Sequence, residues 1–329
     1  MHDDYKPRAE FLELFPPTSG NEVNGLGETE VRAPSPFFWH PVDEHPWGEL
    51  ATQVNLVFRE SPYVAQYFSP DPPGGRGPDP IPVGKEVSED APANFSNAIK
   101  QFALQDEADL VGITSMKPGY VYEGYSIDEP WIIIVGVAMD YDLLSTVPAS
   151  NDNPEGAAEV GRQYNRAARA SRQLVNFIRS QGYSAKAYEG PNASAINMIP
   201  AAIEAGLGQL GKHGSMINDI YGSNFRLSAV VTEMPLLPDA PVDIGVDDFC
   251  THCQVCSNAC PPGAIFNEKQ LVRGETKWYV NFDACIPYFG ETLGCGICIA
   301  RCPWSIPERA PVIKDKMLRR RTRRAERGE

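Results

Sequence analysis

The chain has 329 residues, of which 42% are hydrophobic and 10% aromatic, enough for a substantial core in one large or two ordinary domains. A net charge of −14 excludes nucleic acid as the default partner. No run approaches about 18 consecutive apolar residues, so no transmembrane segment is expected. The N-terminus, Met1-His2-Asp3-Asp4-Tyr5, carries neither a twin-arginine run nor an apolar stretch, which reads either as a cytoplasmic protein or as an exported one whose processed segment is not in this sequence.

In chain order, residues 1–95 read as an irregular N-terminal wrapping region. Aromatics stand beside prolines there, and Phe37, Phe38, Trp39 and Trp47, with Tyr288 and Phe289 further on, either line an apolar pocket or simply pack. Residues 96–240 read as an α/β core. A helix is expected over 94–107 with Asn94 as its cap, then strands over 110–114, 131–138 and 226–232. The second strand is a continuous apolar run, which fits burial on both faces.

A long helix is expected over 157–181, stopped by Gly182. It puts Tyr164, Ala168, Ser171, Val175 and Ile178 on one face and Arg162, Arg166, Arg169 and Arg172 largely on the other. A short helix over 199–205 leads into a loop holding Gly206, Gly208, Gly211, Lys212, His213 and Gly214. That loop matches no nucleotide fingerprint, so it reads either as a cofactor-touching segment or as an ordinary turn.

All eight cysteines lie between Cys250 and Cys302. Cys250, Cys253, Cys256 and Cys260-Pro261 form a C-x2-C-x2-C-x3-C-P run of the kind that binds [4Fe–4S] clusters, its fourth thiolate ligating the other cluster. The second run is Cys285, a nine-residue gap, then Cys295, Cys298 and Cys302-Pro303. The crossing assigns Cys250, Cys253, Cys256 and Cys302 to one cluster, and Cys260, Cys285, Cys295 and Cys298 to the other, within a ferredoxin-like domain over 241–310. Disulfides would need an oxidising compartment, and zinc usually takes paired C-x2-C motifs. His252 is expected beside the cluster rather than on it. Residues 311–329 form a basic tail with Arg319, Arg320, Arg321, Arg323 and Arg324, read as a frayed, solvated end or as a docking strip for an acidic donor or anionic membrane.

Tyr164, Asn176 to Tyr183, Pro191-Asn192, Ala205 to Gly214, Asn224-Phe225-Arg226-Leu227, Thr232 to Pro235, both cysteine runs and Cys302-Pro303-Trp304 together resemble the reductive dehalogenases over about residues 100–310. The resemblance implies a nitroreductase-like α/β core that binds cobalamin with its lower base off, beside two [4Fe–4S] clusters. It implies reduction of an organohalide, with carbon–halogen replaced by carbon–hydrogen, a tyrosine as proton donor and a cation that stabilises the phenolate. By order and spacing those roles fall on Tyr164 and Arg226, with Asn192 lining the pocket and Tyr141 as the rival donor. A tyrosine ordinarily ionises near about pH 10, and a close fixed cation favours its phenolate. Gly206, Gly208, Gly211, Lys212, His213 and Gly214 would then meet the corrinoid. No D-x-H-x-x-G signature occurs, so no axial histidine is expected.

Two departures stand out: no twin-arginine leader, and no fused reductase in the 27 residues after Cys302. The first puts a periplasmic respiratory role in doubt, and the second points to a separate electron donor such as a ferredoxin or flavodoxin. An epoxyqueuosine-reductase-like enzyme, with Asp140 or Asp142 as its acid, is the second reading. A non-catalytic electron carrier is the third.

Overall fold

A computed structural model describes residues 5–37, 47–190 and 195–327. Its strands are β1 (Leu110–Ser115), β2 (Trp131–Ala138), β3 (Ala185–Tyr188), β4 (Gln209–Leu210), β5 (Met216–Ile217) and β6 (Phe225–Thr232). The main sheet runs β1-β2-β6-β3, and all its pairings are antiparallel. Continuous apolar strands are typical of parallel sheets. Here β2 is apolar throughout because helices cover both faces. Ile133 and Val135 pack with the helices Pro92–Gln105 and Glu155–Ser180, while Ile132 and Ile134 pack towards the helix Met198–Glu204.

The long helix Glu155–Ser180 spans about 39 Å at ordinary helical rise. Gly182, at φ +87°, ends it as expected, and a Cβ there would lie 2.3 Å from the Glu86 carbonyl. Its arginines are not merely solvated: Arg166 pairs with Asp109 at 2.9 Å, Arg169 with Glu107 at 2.5 Å and Arg172 with Glu189 at 2.6 Å. Asn94 does not cap the preceding helix, which starts at Pro92, a residue preset for a first helical turn.

Two expectations are corrected. The region read as irregular contains the helix Glu49–Glu60, whose Leu50 and Val54 are fully buried with Phe11 and Ile286. That contact braces it against the helix Phe282–Glu291. Trp47 packs between Phe37 and Phe282, whereas Phe38 and Trp39 lie outside the described residues. The basic tail is not frayed but forms the helix Arg309–Arg327, with Ala310 and Met317 buried. Lys314 reaches Asp219 at 2.6 Å, and Arg321 reaches Asp243 at 2.7 Å and Asp248 at 2.6 Å. Among the described residues no helix is long and apolar enough to cross a membrane.

The cysteine-bearing part is sewn to the core where 222–224 meets 304–305. Ser223 N–H donates to Ser305 Oγ at 3.2 Å, and the Asn224 amide donates to the Ser305 carbonyl. Gly222 sits at φ +58°, with a would-be Cβ 2.3 Å from the Trp304 carbonyl oxygen. A side chain there meets both left-handed strain and backbone overlap. Gly222→Ala should lower unfolding free energy by about 2 kcal/mol or more, read by chemical denaturation.

Candidate metal centre and active site

The helix Val246–His252 carries Cys250, the helix Val255–Ala259 carries Cys256, and Cys253 and Cys260 stand at their C-terminal ends. Burial pushes the Cys250 thiol up to about 12, helped by Cys256 and Cys253. Burial pushes Cys302 up to about 12 as well, helped by Cys250, Cys256 and Cys253. These four are therefore neighbours. In the second group burial pushes Cys285 up to about 12, with Cys295 and Cys260 beside it. Cys298 is raised well above its usual value by burial, with Cys295, Cys285, Cys256 and Cys260 around it. The structure thus brings together the sets that the crossing assigns, Cys285 included. Among the described residues no three side chains gather tightly enough for a single metal ion.

The second group has a distinctive backbone. Leu293, Gly294, Cys295 and Gly296 are all left-handed, at φ +49°, +95°, +49° and +88°. The N–H groups of Gly296 and Ile297 point at the Cys295 sulfur. Non-glycine residues persist in that region only when their surroundings hold them there. His252 is exposed.

The glycine loop is neither a simple helix-to-helix turn nor, as a whole, a cofactor cradle, which corrects part of the expectation. It closes the β4–β5 hairpin. A Cβ on Gly206 would lie 2.5 Å from the Ala240 carbonyl, one on Gly208 2.2 Å from the Ile217 carbonyl, and one on Gly211 2.7 Å from the Ile217 side chain. These three glycines serve tight packing. Lys212 is 1% exposed and points to the first cysteine group, donating from Nζ to the Cys253 carbonyl at 2.8 Å. Its ammonium stands 5.0 Å from the Trp278 ring centre, and its backbone N–H donates to the Cys250 sulfur. Among the described residues no carboxylate pairs with it.

Only His213 and Gly214 of the loop line the cavity beyond. His213 Nδ1 accepts from Ser215 N–H at 3.2 Å, so the proton sits on Nε2, 3.3 Å from Ser223 Oγ. Burial holds its pKa down to about 4. Both ring nitrogens are occupied, which leaves no free lone pair for a metal.

The cavity has a volume of about 820 Å³. Its lining includes Gly156, Ala157, Val160 and Tyr164 of the long helix and Arg226 of β6, together with Cys260, Cys285, Cys295 and Cys298. None of Cys250, Cys253, Cys256 and Cys302 lines it. The Arg226 guanidinium stands 5.4 Å from the Tyr164 ring centre. Gly190 backs that ring, since a Cβ there would be 2.6 Å from Tyr164 Cδ1. Gly190 was missed from sequence, and its only signal is a glycine directly before Pro191. Phe58, Arg59 and Arg76 of the N-terminal region were missed too, while Tyr288 and Phe289 line the space.

Tyr141 does not line the cavity, and its hydroxyl donates to the Ala300 carbonyl at 3.3 Å. Asp140 caps a helical turn through the N–H groups of Asp142 and Leu143, and Asp142 is exposed. Asn192 lies outside the described residues.

Lys212 gives the first cysteine group a fixed positive neighbour, which favours the more negative, reduced state of a cluster held there. Lys212→Met should move that cluster's midpoint potential to more negative values, and Lys212→Arg should restore it. The second cluster should barely respond. An EPR-monitored redox titration of the reconstituted protein reads both.

Residues 249–306 match the family model of a 4Fe-4S dicluster domain. Over 262 residues the chain is 30% identical to the tetrachloroethene reductive dehalogenase of Sulfurospirillum multivorans, covering 65% of this chain and 51% of that protein. It is 26% identical over 250 residues to an epoxyqueuosine reductase of Synechococcus, covering 65% of this chain and 76% of the relative. A solved reductive dehalogenase, described with a mechanism for B12-dependent dehalogenation, superposes with a TM-score of 0.74 at 23% identity, over 97% of this chain and 48% of its own. The chain spans about half the length of that dehalogenase structure and of the Sulfurospirillum relative. The chain is thus similar in sequence to reductive dehalogenases, shares the fold of a solved one, and matches a 4Fe-4S dicluster domain over residues 249–306.

Proposed function

We propose that the chain reduces a small organohalide, with a cobalamin in the cavity and two [4Fe–4S] clusters supplying electrons. The observation that carries this reading is the cavity itself, which is lined both by a tyrosine–arginine pair and by the four cysteines of one cluster set. Its volume suits a cofactor and small-molecule site. Two guanidinium nitrogens on its lining, Arg76 Nε and Arg226 Nε, are buried without an acceptor among the described residues. Buried donors of that kind are costly unless a bound group meets them. The polar periphery of a corrinoid supplies such acceptors, and the occupied ring of His213 agrees with binding without a protein imidazole.

The overall exchange is R–X plus two electrons and one proton giving R–H and X⁻, so two electrons pass through the clusters per turnover. When bound, the cobalamin supplies the low-valent cobalt that breaks the carbon–halogen bond. The chain's own residues do the rest. His213, Gly214, Gly156, Ala157 and Val160 would hold the cofactor, and Phe58, Tyr288 and Phe289 keep the space apolar and exclude water. Tyr164 holds the proton at its hydroxyl, which has no hydrogen-bond partner among the described residues. After transfer, the Arg226 guanidinium faces the resulting phenolate.

Anaerobic reconstitution with iron, sulfide and cobalamin should retain about eight irons, as two four-iron clusters require, with one cobalt per chain. Eight irons without cobalt would remove this reading and leave an electron carrier. Tyr164→Phe should keep both metals and lower organohalide turnover about 10²- to 10⁴-fold, the usual contribution of a positioned acid. Undiminished turnover would exclude Tyr164 as the donor. The tRNA-modifying reading draws no support from Asp140 or Asp142, neither of which lines the cavity.

A further inference from the structure

The C-terminal helix Arg309–Arg327 uses its two faces differently. Inward, Ala310 and Ile313 pack into the same apolar cluster as Cys250, Cys302 and Trp304, and the inward cations Lys314 and Arg321 are paired with acids. Outward, Lys316, Arg319, Arg320, Arg323 and Arg327 are all exposed. Their spacing places them along one stripe of the helix. Among the described residues none of these five has an ion-pair partner, and the only acids on the helix are Asp315 and Glu326. The stripe therefore stands on the part of the molecule that holds the cysteine group facing away from the cavity. It is a concentrated positive surface on a chain of net charge −14.

We propose that this stripe is the docking surface for a small acidic one-electron carrier protein, which delivers electrons to the Cys250–Cys253–Cys256–Cys302 cluster. The proposal rests on the reading of the chain as an electron-consuming reductase. An acidic carrier is repelled by most of this surface and attracted by one strip, so steering also selects orientation. The orientation selected is the useful one, because the stripe's own helix packs on two of that cluster's cysteines. Electron-transfer encounters are small and transient, and a stripe of this size suits them. A membrane surface fits less well. A helix lying in a lipid interface needs a free apolar face, and the apolar face here is spent on Cys250, Cys302 and Trp304.

The test is stopped-flow reduction of the reconstituted full chain by a reduced acidic ferredoxin, read as cluster bleaching, with dithionite as the small-molecule control. The variant Arg319→Glu/Arg320→Glu/Arg323→Glu alters exposed positions only. At low salt it should lower the second-order rate by about tenfold or more, within the range that electrostatic steering spans. Rising salt should bring the wild-type rate down towards that of the variant, while iron content and the dithionite rate stay unchanged. The matching Arg→Lys triple variant should keep the wild-type rate, because steering depends on charge rather than guanidinium geometry. An unchanged rate in the charge-reversed protein, or a rate insensitive to salt, overturns the proposal. So does binding of the wild type to phosphatidylserine vesicles combined with an unaltered carrier rate, which assigns the stripe to membrane. Because bleaching is read without organohalide, normal bleaching followed by no dehalogenation would refute the function proposed above and leave the docking surface standing.

Discussion

Crowded, buried thiols are the constraint on which the rest of this molecule depends. Burial above all, with the neighbouring thiols, pushes Cys250, Cys285 and Cys302 up to about 12. Such groups become ligands only when a positive centre among them offsets the loss of water. An iron–sulfur cluster in each set would be that centre, and the polypeptide supports the two sets unequally. Both sets receive backbone N–H groups, the first from Lys212 and Trp304 and the second from a left-handed run around Cys295, but only the first also has the buried ammonium of Lys212 beside it. Net charge and hydrogen bonds to sulfur both tune cluster potential, so the two sites are built to differ.

That asymmetry coincides with position. The set without the lysine lines the cavity, and none of the lysine-supported cysteines does. Electrons arriving from outside meet the lysine-supported set first if they enter by the C-terminal helix, whose Ala310 and Ile313 touch it. The cavity is closed by three stretches of chain far apart in sequence: the N-terminal helix with Phe58, the long helix with Tyr164, and the second cysteine run. Val160 of the long helix packs with Cys295 and Ile299 on the apolar cluster of Leu144, Val147, Ile297 and Ala300, which ties the last two together. Gly222 and Asn224 against Trp304 and Ser305 fix the cysteine-bearing part from the other side.

Much of this was legible in the sequence, and the reasons are physical. The β2 run, the stop at Gly182 and the cysteine spacing are local patterns, and local patterns survive without a fold. The N-terminal helix was also locally legible, since Leu50, Ala51, Val54, Val57 and Phe58 recur at helical spacing. The prolines around it obscured that rhythm. The tail misled for a different reason. Its charges suggest a solvated end, but Ala310, Ile313 and Met317 fall on one helical face and find Gly245 and the first cysteine group.

The glycine loop shows where sequence reading runs out. Gly206, Gly208 and Gly211 look like a cradle because glycine permits close approach, and close approach is what they provide. What approaches is decided by topology, and here it is the backbone of 217 and 240 rather than a ligand. The same holds for Lys212. A lysine in a glycine loop suggests an anion in the cavity, yet the hairpin turns it to the opposite side, onto Cys253. Its neighbour would still be anionic with a cluster in place, because a cube of iron and sulfide held by four thiolates carries net negative charge. The sequence places Lys212 against the corrinoid, and the hairpin sets its ammonium beside the first cysteine group.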